Sequence, residues 1–163
     1  INFFELLIVG NNINYFMSEA ISMAELAFQN DEVPVGAIVV YNDQIIGRGF
    51  NQVLAKKSVS SHAEINAINQ ASQFIQNYRL TGCDIYVTLE PCHMCAKAIV
   101  DARINYLYFG ANEPKTGAIE SIDQFLKRDD LNHKVMFSGG HLQNQSSYLL
   151  KKFFKTKRKN KIS

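Results

Sequence analysis

The chain has 163 residues, 47% of them hydrophobic and 20% charged, the makeup of one ordinary globular domain rather than of a disordered or fibrous protein. Its three cysteines, Cys83, Cys92 and Cys95, are too few and too irregular for a secreted disulfide scaffold, and no apolar stretch approaches membrane-spanning length. Net charge is only +2, but seven of the seventeen Lys/Arg fall within 151–161, where no acid occurs, so the rest of the chain carries ten bases against fifteen acids. A basic tail on an acidic body suits an anionic partner; a solvated helix end is the plain alternative.

The N-terminal INFFELLIVGNN is short, carries Glu5, and lacks a basic flank and a small-residue cleavage site, so it is not expected to be a secretory signal. Residues 1–14 read as an extension that need not be ordered, with Met17 a candidate start, and residues 15–163 as a single domain. Ala20, Met23, Ala24 and Ala27 recur at helical spacing and predict a helix over 16–29. The apolar run 33–41 and the segment 44–50 predict two strands, joined at Asn42-Asp43 by turn chemistry into a hairpin. A loop is expected to Ser61 and a helix over 62–76. Residues 84–89 predict a strand, and Pro91 opens a helix running to about Ala102. A strand over 104–109, a short helix near 121–127, a weak strand over 135–137 and a final helix from about His141 complete the chain. An opening hairpin followed by strands that alternate with helices predicts an α/β fold, a three-layer α/β/α sandwich around a mixed five-stranded sheet.

The chemistry concentrates in His62-Ala63-Glu64 and Pro91-Cys92-His93-Met94-Cys95. Imidazole and thiolate are the ligands zinc prefers, and three protein ligands with a fourth open position make a catalytic site. His62, Cys92 and Cys95 supply such a set, for one Zn2+ per chain, and Glu64 stands close enough to shuttle protons without ligating. Other readings stand beside this one. Ser61-His62-Ala63-Glu64 also fits a capping box, His93 offers an alternative ligand, and a site using both histidines would be structural. The pairing of His-x-Glu with Pro-Cys-x-x-Cys is nonetheless the signature of zinc nucleobase deaminases.

Beyond that signature the chain resembles the TadA-type bacterial tRNA adenosine deaminases of the cytidine deaminase superfamily, roughly from Tyr15 to Phe154. The matching stretches include Glu32–Ala37, Gly49–Asn51, His62–Ile65, Asn77–Leu80, Tyr86–Cys92, Ala102–Ile104, Phe109–Ala111, Lys115–Ala118 and the closing Phe153-Phe154 with its basic residues. The resemblance implies a cytidine deaminase-like fold and hydrolytic conversion of adenosine to inosine at the tRNA wobble position. It also implies a tRNA anticodon stem-loop as partner, a homodimer, and a cytoplasmic location away from membranes. By the same resemblance Asn51, Val35, Ala63, Pro91, Lys115 and Phe153 bind substrate. Asn51 could instead cap a loop, and Phe153 and Phe154 could be core anchors. A deaminase of a free base or nucleotide, of guanine or cytosine type, would share the metal site. The chain departs from the family pattern at Asn112-Glu113-Pro114, Lys97 and His93.

Overall fold

The computed structural model describes residues 2–162, and of residues 4, 6–11 and 162 the backbone alone. Helix α1 (Phe3–Gln29) leads into strands β1 (Gly36–Tyr41) and β2 (Gln44–Phe50). A short helix α2 (Val53–Lys56), helix α3 (Ala63–Ile75), strand β3 (Asp84–Leu89), helix α4 (His93–Asp101) and strand β4 (Tyr106–Ala111) follow. A 3-10 turn at Phe125–Lys127, strand β5 (Met136–Ser138) and helix α5 (Gln143–Ile162) close the chain.

The five strands form one mixed sheet in the order β2-β1-β3-β4-β5. β1 pairs antiparallel with both β2 and β3, while β3, β4 and β5 run parallel. The hairpin forms as expected: Asn42 and Asp43 take φ of 48° and 59°, the two left-handed positions that a tight hairpin turn requires. The period-2 alternation then divides the core. Ala37, Val39, Ile85, Val87, Leu107 and Phe109 belong to the larger apolar cluster, with Ala67, Ala71, Ala96 and Ile99 of α3 and α4. Ile38, Val40 and Tyr86 belong to the second cluster, with Phe16, Met17 and Ala20 of α1 and Leu149 of α5. The three-layer sandwich is therefore present, with α3 and α4 over one face and α1 and α5 over the other.

Element boundaries differ from expectation where local backbone bonding intervenes. β1 begins at Gly36 rather than residue 33, because Pro34 has no N–H to give a ladder and the Val35 N–H turns back to the Val33 carbonyl at 2.8 Å. β4 begins at Tyr106 because Arg103 ends the α4 turn at φ 62°, and the Ile104 and Asn105 N–H groups donate to Ile99 and Cys83. Leu142, at φ 49°, delays α5 to Gln143. The 16–29 helix starts instead at Phe3, where Asn2 and Glu5 form a capping box.

One consequence of topology positions the site. β2 and β3 both lie antiparallel to β1, on either side of it, so they run in the same direction and end at the same edge of the sheet. The helices that follow them, α3 and α4, therefore start side by side. Gly49 lets α3 settle directly on β2: a Cβ there would overlap the Ala63 carbonyl oxygen in the first turn of α3.

Candidate active site

His62 is the N-cap residue of α3, and Cys92 is the N-cap of α4 with Cys95 in its first turn. Pro91, expected inside the helix, lies one residue before the cap. The convergence of the two helix starts brings the His62 Nδ1 to 3.7 Å from the Cys92 Sγ and 3.5 Å from the Cys95 Sγ. One nitrogen and two sulfurs, all within 4.8 Å of one another, form the metal-competent cluster among the described residues. This donor set is the one zinc favours. His93, the alternative ligand, faces elsewhere: its Nε2 is 2.8 Å from Asp123 Oδ2.

The protons in this cluster are distributed asymmetrically. The Cys95 thiol lies against Cys92, which holds Cys92 at about 3 and raises Cys95 above the ordinary thiol range. The contact with Cys92, outweighing burial, raises the His62 imidazole. Burial raises the Glu64 carboxyl, and the hydrogen bond with Cys95 opposes this only in part. Glu64 is 4% exposed in the first turn of α3. The Ser61–Glu64 capping box does not form. No side chain of the His62 cap bonds the helix, and Asn51 Oδ1 accepts the Ala63 N–H at 2.9 Å from outside. Asn51 thus holds the start of a helix, where the sequence offered it as the cap of a loop.

A cavity of about 540 Å³ opens over this cluster. Val35, Asn51, His62, Glu64, Cys92 and Phe153 line it, so the structure gathers six of the expected site residues. Ala63 and Cys95 are fully buried beneath them. Lys115 is exposed and outside the lining, where its neighbour Thr116 stands instead. Phe153 is buried and packs edge-on against Phe28 at 6.0 Å, leaving Phe154 as the more exposed ring of the pair. Lys157, also in the lining, pairs with Asp31 at 2.6 Å.

Two lining carboxylates were not singled out by the sequence. Glu32, 2% exposed, accepts the Leu54 N–H at 2.7 Å and so anchors α2, a helix the sequence pattern does not announce. Glu90, also 2% exposed, accepts the N–H groups of Glu113, Ile119, Glu120 and Ser121, the Asn112 amide and the Ser121 hydroxyl. Burial pushes Glu90 up, but these donors together hold it down at about 2. The sequence signals were their places in the matching stretches Glu32–Ala37 and Tyr86–Cys92 and, for Glu90, an acid closing an apolar run beside Pro91.

Comparison with known proteins agrees with this geometry. The family model described as MafB19-like deaminase matches residues 11–158. A tRNA-specific adenosine deaminase of Agrobacterium fabrum (strain C58 / ATCC 33970) is 42% identical over 144 residues, 88% of this chain and 95% of its own length. A solved structure from studies of A-to-I editing by tRNA:A34 deaminases at the wobble position of transfer RNA superposes with a TM-score of 0.81. It is 41% identical, with 83% of this chain and 99% of that one covered. The guanine deaminase of Nitrosomonas europaea shares the fold, at a TM-score of 0.72 and 20% identity, with 86% and 83% covered. A family model over most of the chain and a 42% identical relative over nearly its whole length place this protein among the MafB19-like deaminases, in the family of the tRNA-specific adenosine deaminases.

Proposed function

We propose that this protein is a zinc-dependent tRNA adenosine deaminase that converts the wobble adenosine of an anticodon to inosine. The observation that carries the reading is the His62–Cys92–Cys95 cluster at the base of a cavity that also holds the buried Glu64. One imidazole and two sulfurs suit a single Zn2+ with an open fourth position. Bound there, zinc supplies a Lewis acid that acidifies a water molecule.

Glu64 is the proton carrier in this reading. It takes a proton from the attacking water and passes it to N1 of the purine as oxygen adds at C6. It then takes the proton of the newly added C6 hydroxyl and gives it to the amino group as the C6–N bond breaks and the C6=O bond forms, so that water enters and ammonia leaves. Asn51, with Oδ1 committed to Ala63, keeps its amide nitrogen for the base, and Val35 and Phe153 give the base apolar surface. The flipped base costs little to extrude because an anticodon loop is already single-stranded. Lys115 and the basic turns of α5 serve the phosphates. We read residues 15–163 as the catalytic domain and the working location as the cytoplasm, where the substrate is used. A homodimer is supported by the exposed apolar Met94 and Ile122, close in sequence to the two ends of the His93–Asp123 pair.

The test is ammonia release from an anticodon stem-loop with adenosine at the wobble position, beside free adenosine, guanine and cytidine. Turnover of the stem-loop alone is expected. Preference for guanine or cytidine would transfer the site to the free-base class.

A further inference from the structure

The 112–121 segment has no helix or strand of its own, yet it brings Thr116 to the cavity and carries Lys115 beside it. Six of the hydrogen bonds that order it go to one side chain. Glu90 Oε2 accepts the N–H groups of Ile119, Glu120 and Ser121 at 3.1, 2.8 and 3.0 Å. Glu90 Oε1 accepts the Glu113 N–H and the Asn112 amide, both at 3.1 Å, and the Ser121 hydroxyl. No lysine or arginine is among these partners, so main-chain and side-chain dipoles alone hold the charge. A Cβ on Gly117 would overlap the Glu90 carboxyl, so the loop wraps the acid as closely as a glycine allows. The Ala118 N–H donates to the Pro91 carbonyl at 2.9 Å, which fastens the same loop one residue before Cys92.

We propose that Glu90 is a positioning residue for RNA: it ties the 112–121 loop to the end of β3 and thereby fixes Lys115 and Thr116 at the mouth of the cavity. The proposal rests on the tRNA deaminase reading for its substrate. The carboxylate must be acceptor-only at both oxygens, since each faces three donors. Glutamine, nearly isosteric, would turn an NH2 group against one of those sets, so Glu90→Gln is the informative change and not a silent one.

The experiment compares wild type with Glu90→Gln, Glu90→Asp, Gly117→Ala and the milder Ser121→Ala, all zinc-loaded, on a wobble-adenosine stem-loop. For Glu90→Gln and Gly117→Ala, KM should rise ~10-fold or more while kcat stays within about 3-fold, the pattern of lost substrate positioning. Zinc should stay near one per chain. Hydrogen exchange at the 113 and 119–121 amides should quicken by ~10-fold or more. Glu90→Asp, still acceptor-only, should recover part of the KM. An unchanged KM with only a lower melting temperature would overturn the proposal, and so would a fall in kcat together with lost zinc. If Glu90→Gln does not fold, Ser121→Ala decides: a normal KM and normal exchange there also overturn it. Should wild type fail to turn over the stem-loop, the substrate reading falls, while the exchange measurement still judges the Glu90 anchor separately.

Discussion

Two buried glutamates line the same cavity and are tuned in opposite directions. Glu64, at the start of α3, is held by burial above the ordinary carboxylate range, with the Cys95 thiol and the helix N-terminus opposing only in part. Glu90, beyond β3, is buried as deeply, yet the donors that converge on it keep it at about 2. The difference is a difference of wiring. A carboxylate with few partners retains a proton readily and can pass it on; one saturated with donors cannot. The six donors on Glu90 suit it to hold structure, and the fewer on Glu64 suit it to move a proton.

The largest effect expected is that of the metal ligands. Ala in place of His62, Cys92 or Cys95 should remove zinc and activity together, while His93→Ala, which breaks the pair with Asp123 and the edge-on contact with Phe125, should keep zinc near one per chain. Metal analysis beside an activity assay checks this. Loss of zinc in the His93 variant with retention in the His62 variant would exchange the two assignments.

Glu64→Gln tests the first half of the comparison. Turnover should fall by ~100-fold or more with zinc retained, since a positioned acid–base group contributes on that scale. Its melting temperature should hold or rise, because a neutral amide removes the burial cost of the acid. The same substitution at Glu90 should lower stability by ~2 kcal/mol, the cost of opposing hydrogen bonds to a charged group. Equal stability effects at the two positions, read by denaturant titration, would erase the distinction drawn between them.

Asn51 should fall between the two. Its Oδ1 caps α3 through Ala63, so Asn51→Ala should cost ~1 kcal/mol of stability and weaken turnover on RNA as well. A stability loss with normal turnover would leave Asn51 a cap alone.

The smallest effect belongs to the basic end of α5. Replacing Lys155, Lys157, Arg158, Lys159 and Lys161 by Gln should weaken tRNA binding and flatten its dependence on salt by ~0.7–0.9 of log–log slope per lost phosphate contact. Anisotropy across a salt series measures it, and parallel slopes would make this segment a solvated helix end. Phe153 is left in place because it is buried against Phe28 and its removal would disturb the helix seat.

Much of the fold was legible in the chain because period and turn chemistry are local. The hairpin at Asn42-Asp43, the strands near 44–50 and 84–89 and the helix near 62–76 stand close to where pattern alone put them. Three misplaced starts, at Val35, Ile104 and Leu142, are where one N–H or one positive φ overrode the apolar pattern, and the first helix starts well before residue 16, at the Asn2–Glu5 capping box.

By itself the sequence determined the ligand types and their spacing. His-x-Glu and Cys-x-x-Cys each lie within one helix turn, and their chemistry follows from residue identity. Only the tertiary structure decided that the two halves meet, because that depends on β2 and β3 running in the same direction on either side of β1. It alone also decided the part played by Glu90, whose donors are supplied 22 to 31 residues downstream, four of them main-chain N–H groups. Every residue but proline carries that same N–H, so no pattern of side chains could have announced where these four would point.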